Sequence, residues 1–133
     1  MILAYRFRQF KEAILNGQKI HTIREDKTKR WKVGMSIQHW MGSPRNKRTN
    51  PHEFKTGTCM GIQEVIIDNF GDGNFAIRVM DENGEWKVLR KIEENTLIKN
   101  DGLTRDEFIK FFVPNDGDTF RGRIIHFTNL KYL

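Results

Sequence analysis

Two periods of hydrophobicity alternate along this chain. Residues 4–7, Ala-Tyr-Arg-Phe, alternate small or apolar with polar side chains as a short strand does. Phe10, Ala13 and Ile14 then recur at helical spacing, and Asn16-Gly17 ends that helix, because glycine enters the left-handed cap conformation without a Cβ clash. The β-branched run His21-Thr-Ile-Arg24 reads as a strand, and residues 35–41 read as another after the Val33-Gly34 turn. Residues 42–55 mix Gly, Ser, Pro and Asn with basic side chains and read as one long loop. Strand character returns over residues 56–68, ending in Val65-Ile-Ile67, and residues 75–79 follow a Gly-Asp-Gly turn. An Asn83-Gly84 pair signals a hairpin into residues 86–89. A second helix starts at Thr104, with Glu107 closing a capping box, Phe108, Ile109, Phe111 and Phe112 on its apolar side and Pro114 stopping it. Residues 123–128 supply a final strand.

Many short strands with only two helices predict an α+β, mostly β fold: a small antiparallel β-barrel with two helices at its rim. At 133 residues, with no repeat or linker composition, residues 1–133 make a single domain. Ten Phe and three Trp among 38% hydrophobic residues supply a core. Cys59 is the only cysteine, which removes a disulfide framework and fits a reducing compartment. His21, His39, His52 and His126 show no metal-ligand spacing, so no metal and no cofactor are expected. No apolar run approaches the roughly 20 residues that cross a bilayer, and arginines occupy the first ten residues where a signal peptide is apolar. The expectation is a cytoplasmic protein with no membrane partner.

Charge changes the picture. Residues 1–55 carry 13 Lys or Arg against 4 Asp or Glu, whereas residues 56–133 carry 10 against 13. The excess gathers in Lys27-Thr-Lys-Arg-Trp-Lys32 and in Arg45-Asn-Lys-Arg48. Clustered cations of this kind attract polyanions, nucleic acid above all, or form a solvated basic surface with no partner.

The segment Gly17-Gln-Lys19-Ile-His-Thr22-Ile-Arg24 resembles the Gly-x-Lys-x-x-Thr-x-Arg signature of the ASCH family, part of the PUA-like superfamily of RNA-associated barrels. Trp31-Lys-Val-Gly34 resembles the family's turn into the next strand, and Asp101-Gly-Leu-Thr-Arg-Asp-Glu-Phe108 its late acidic segment. The resemblance spans roughly residues 4–128, with 42–55 as an enlarged basic loop. It implies a PUA-like barrel and RNA or a nucleoside as partner. Period-two geometry turns Thr22 and Arg24 to one face of their strand, with Lys19 in reach of it. A hydroxyl and two cations then share a cleft, Arg24 as a fork of donors and Lys19 as a point charge sensitive to burial. The bland alternative is that Arg24 pairs with a carboxylate such as Glu25 or Asp26 and that Thr22 merely suits a strand.

Two functions compete. In the first the cleft binds RNA or a modified nucleotide through Arg24, with Lys27, Lys29, Arg30, Arg45, Lys47 and Arg48 on phosphates and Trp31 stacking on a base. Trp40 is a weaker stacking candidate, read mainly as core. In the second, small ASCH amidohydrolases acting on N4-acetylcytidine imply a triad of Lys19 as base, Thr22 as nucleophile and an acid near Asp101, one methylene shorter than the family's glutamate. Glu93 and Glu94 are alternative acids. A ribonuclease is a third reading, in which a Lys and an Arg stabilise a cleaving phosphate, but the sequence shows no convincing histidine pair for acid and base, His21 alone being suggestive.

Overall fold

A computed structural model describes residues 1–133. Its elements are β1 (Ile2–Tyr5), α1 (Arg8–Leu15), β2 (His21–Arg24), β3 (Ser36–Met41), β4 (His52–Thr58), β5 (Gly61–Gly71), β6 (Asn74–Met80), β7 (Trp86–Val88), α2 (Lys91–Asn100), α3 (Arg105–Phe112) and β8 (Thr119–His126). The α+β, mostly β class holds, with three helices rather than two.

The strands pair as two separate sheets and not as one closed ring. One sheet has the order β1-β3-β4 and the other β2-β8-β5-β6-β7. β1 runs parallel to β3, while every other pairing is antiparallel. α1 lies between β1 and β2 in the chain, and the two strands on either side of it belong to different sheets.

Strand β8 shows how the sheets share a core. Adjacent residues on a strand face opposite ways, and Ile124 and Ile125 enter different apolar clusters. Ile124 joins Val65, Ile67, Ile77 and Val79 beneath Leu97 of α2 and Phe108 of α3. Ile125 joins Leu3, Tyr5 and Ile37 of the other sheet, with Ile14 of α1. A strand buried on both faces needs an unbroken apolar pair, as Ile124-Ile125 provides.

The loop expected over residues 42–55 ends earlier, because His52 to Lys55 already pair with Met41 to His39 in the β3–β4 ladder. Asn46 and a 3-10 turn at Lys47–Thr49 organise what remains, the Asn46 side chain accepting from the Arg48 amide. No helix is long and apolar enough to cross a membrane.

Candidate functional site

The site is built where α1, the edge strand β2 and the α2–α3 turn meet. Gly17 (φ +82°) ends α1, and the Lys19 amide donates to Ala13 O at 2.9 Å, folding Lys19 back beneath the helix. From the other side, Asp101 closes α2 and Gly102 follows at φ +79°. A Cβ on Gly102 would sit 3.1 Å from Lys19 Cβ and 3.4 Å from Ala13 Cβ, so glycine lets the turn press against Lys19.

The result is a buried polar chain. Lys19 Nζ donates to Asp101 Oδ1 at 3.0 Å and to the Asp101 carbonyl at 2.8 Å, 4.9 Å from the Phe10 ring centre. His21 Nδ1 meets the same Asp101 Oδ1 at 3.2 Å, and its Nε2 lies 2.6 Å from the Tyr132 hydroxyl. Asn100 Nδ2 donates to that hydroxyl at 3.1 Å. A carboxylate can only accept, so Nδ1 of His21 carries the proton and Nε2 accepts from Tyr132.

Electrostatics follow from burial and pairing. Burial lowers the Lys19 pKa by more than the Asp101 charge and hydrogen bond raise it. Burial alone would raise the Asp101 carboxyl, but the Lys19 charge and the His21 hydrogen bond hold it below its ordinary value. Burial also lowers His21, against the pull of Asp101, and keeps the ring neutral.

Above this chain lies a cavity of about 230 Å³. Lys19, Thr22, Arg24 and Asp101 all line it, as do Phe7, Phe10 and Phe111. None of the hydrogen bonds just described uses the Thr22 hydroxyl. Arg24 is half engaged: Nη2 donates to Ala4 O at 3.0 Å, the guanidinium lies 5.6 Å from the Tyr5 ring centre, and buried Nε has no partner. Arg24 therefore pairs with neither Glu25 nor Asp26.

The remaining candidates lie elsewhere. Asp26 accepts from the Arg30 and Trp31 amides and from Arg123 Nη1, at 2.9, 3.2 and 2.6 Å, winding the basic segment around itself. That winding drives Trp31 into the core beside Leu3 and Ile37, only 5% exposed, so it cannot stack on a base. Lys27, Lys29 and Arg30 are exposed and outside the cavity, Lys27 lying 3.5 Å from Glu25. Arg45, Lys47 and Arg48 are exposed on the loop after β3. Trp40 is half-buried and belongs to neither core cluster. Glu93 caps α2 with Arg90, and Glu94 is buried in an ion pair with Arg105 at 2.8 Å. Neither glutamate reaches the cavity.

Phe7 and Phe111 supply the aromatic surface that Trp31 does not, their ring centres 5.4 Å apart and both rings partly exposed. In the sequence these phenylalanines read as core, since nothing in spacing separates a cavity wall from a core. His21 was visible only as a lone histidine, and Tyr132 lies beyond any periodic segment. No group of three or more His, Cys, Asp or Glu side chains is arranged to hold a metal. Comparison with models of known families, with curated proteins and with solved structures finds no match to this chain.

Proposed function

We propose that this chain is an ASCH-type, PUA-like domain that binds RNA or a modified nucleotide, its barrel opened into two sheets. The observation that carries the reading is a path from the cavity toward the basic loop. Ala4, Tyr5 and Arg6 line the cavity on one side and, on the other, a second groove shared with Ser43, Asn46 and Thr49 of that loop. A base in the cavity meets Phe7 and Phe111, the Thr22 hydroxyl and the Arg24 guanidinium, and its phosphates continue toward Arg45, Lys47 and Arg48. Aromatic faces hold any base, and cations on a surface loop follow a backbone without reading sequence.

The amidohydrolase reading draws support from Lys19 beside Thr22, since burial lowers its pKa in the direction a base requires, although the Asp101 charge and hydrogen bond act to keep its proton. It draws less from Asp101, which is held ionised under Lys19 and His21 and so is poorly suited to protonate a leaving amine. Binding therefore ranks first.

Fluorescence anisotropy with single-stranded RNA at several salt concentrations tests it. Changing Arg45, Lys47 and Arg48 together to Ser should weaken binding and reduce the salt slope by about one per lost phosphate contact. Arg24→Ala should weaken it more than Thr22→Val, whose single hydrogen bond contributes about 0.5 to 1.5 kcal/mol, or roughly two- to tenfold. Cytidine released from N4-acetylcytidine by the wild type, and abolished by Thr22→Val, would establish the enzyme instead.

A further inference from the structure

The strand register places a second feature on the same sheet face as Thr22 and Arg24. Directly paired residues share a face, as do residues two apart on one strand. Arg24 pairs with Arg123, which pairs with Glu64; Ile66 pairs with Arg121 and Arg78; Met80 pairs with Trp86. One face therefore runs from Arg24 on β2 to Trp86 on β7, about 19 Å across four strand spacings. At Ile125 and Ile62 that face is covered by the three-stranded sheet. Its other end is open and forms a groove of about 550 Å³, within the usual size of ligand sites.

The groove has the parts of a nucleotide site. Trp86, 38% exposed, forms one wall. Met80 and Ile66 make an apolar floor, and Ile66 is buried although it belongs to neither core cluster. The carboxylates present are already paired: Asp26 with Arg123 at 2.6 Å, Glu64 with Arg123 at 3.4 Å and Glu25 with Lys27 at 3.5 Å. Lys29 and Arg121 remain as cations without a carboxylate partner. An aromatic wall with two free cations suits a flat ring attached to an anion, and although Asp26 and Glu64 share the single Arg123, the cations Lys27, Lys29, Arg121 and Arg123 outnumber the carboxylates Glu25, Asp26 and Glu64.

We infer that this groove is a second nucleotide subsite, in which a base of single-stranded RNA stacks on Trp86 while Lys29 and Arg121 hold the adjoining phosphate. The inference rests on the RNA-binding reading above and extends it. The groove and the cavity share no lining residue, because the segment from Asp26 to Trp31 lies over Arg123 between them, so the RNA passes over that segment on its way from Arg24 to Trp86. Gly122, where a Cβ would sit 2.8 Å from Arg24 O, keeps β8 close against β2 at the crossing.

The test compares a labelled RNA of about eight nucleotides, within the roughly 4 to 16 that single-strand-binding OB-folds cover, with a dinucleotide too short to reach both subsites. Trp86→Ala should weaken the longer RNA by roughly tenfold to a hundredfold, the range of one lost base–aromatic stack, and Trp86→Phe should restore most of it. Arg121→Ser should lower the salt slope by about one. Dinucleotide binding should respond to Arg24→Ala and not to Trp86→Ala. Thermal unfolding of each variant separates lost binding from lost structure, and if Trp86→Ala does not fold, Arg121→Ser decides. Long RNA that depends on Arg24 but is indifferent to Arg121→Ser and to a folded Trp86→Ala overturns the subsite alone. Failure of the wild type to bind either RNA overturns the subsite and the RNA-binding reading together.

Discussion

Asp101 concentrates the site's energetics in one carboxylate. It accepts from Lys19 and His21 at 3.0 and 3.2 Å with no appreciable solvent contact. Removing one member of a buried ion pair strands the other, at a cost of about 3 to 5 kcal/mol. Asp101→Asn should lose stability of that order in urea denaturation. Replacing both partners, as Lys19→Met with Asp101→Leu, should cost less than the single change, because apolar groups need no partner. A loss under about 1 kcal/mol for Asp101→Asn would show that the carboxylate does not hold Lys19 in place. Lys19, Thr22 and Asp101 were legible in the sequence through a motif. The link from Asp101 to His21 and on to Tyr132 was not, since those contacts join residues 80 and 111 positions apart.

Among the elements, α3 and α2 make an instructive pair. Thr104 accepts from the Glu107 amide and Glu107 accepts from the Thr104 amide, the reciprocal cap that Thr-x-x-Glu spells. Thr104→Ala should cost about 1 kcal/mol by the same denaturation measurement, while Thr104→Ser should cost much less. An unaffected Thr104→Ala would assign α3 stability to Phe108 packing alone. Helix α2 escaped notice because its inward face looks polar: Glu94, Leu97 and Ile98 are buried, whereas Ile92 is exposed. Glu94 is buried only because Arg105, on the next helix, neutralises it. No pattern within residues 91–100 contains that partner. The basic segment 27–32 misled for the same kind of reason, since Asp26 and the distant Arg123 decide that Trp31 turns inward.

At the scale of the whole molecule, buried neutral histidines set the acid limit. Burial, with the Lys55 and Lys19 charges, lowers His39 to about 4. Burial, with His21 and Lys131, lowers His126 to about 3, and its buried Nδ1 has no partner to receive a new proton's charge. Below about pH 6.5 the unfolded chain binds protons that the folded chain refuses, so stability falls as pH drops from there toward 4 and 3. Asp101 acts at still lower pH: its folded pKa is depressed, so its contribution is present above the ordinary aspartate value and lost as pH falls through the folded one. The urea midpoint should therefore rise steadily from about pH 4 to pH 6.5. A flat profile over that interval would mean that these rings are solvated or already protonated in the fold.

Local chemistry sufficed wherever the determinant lies within a few residues: the helix stop at Gly17, the Thr104 cap, the Asn83-Gly84 turn and the alternation that sends Thr22 and Arg24 to one face. Each depends on backbone geometry or on neighbours three or four positions away, so any fold containing the segment inherits it. Partners, closure and burial belong to the folded chain. Whether β1 and β2 join one sheet or two, whether Trp31 faces a ligand or a core, and whether Asp101 can release a proton all depend on groups supplied by remote segments. Burial and charge pairing act through space, and a linear sequence does not state which side chains will be within 3 Å of one another.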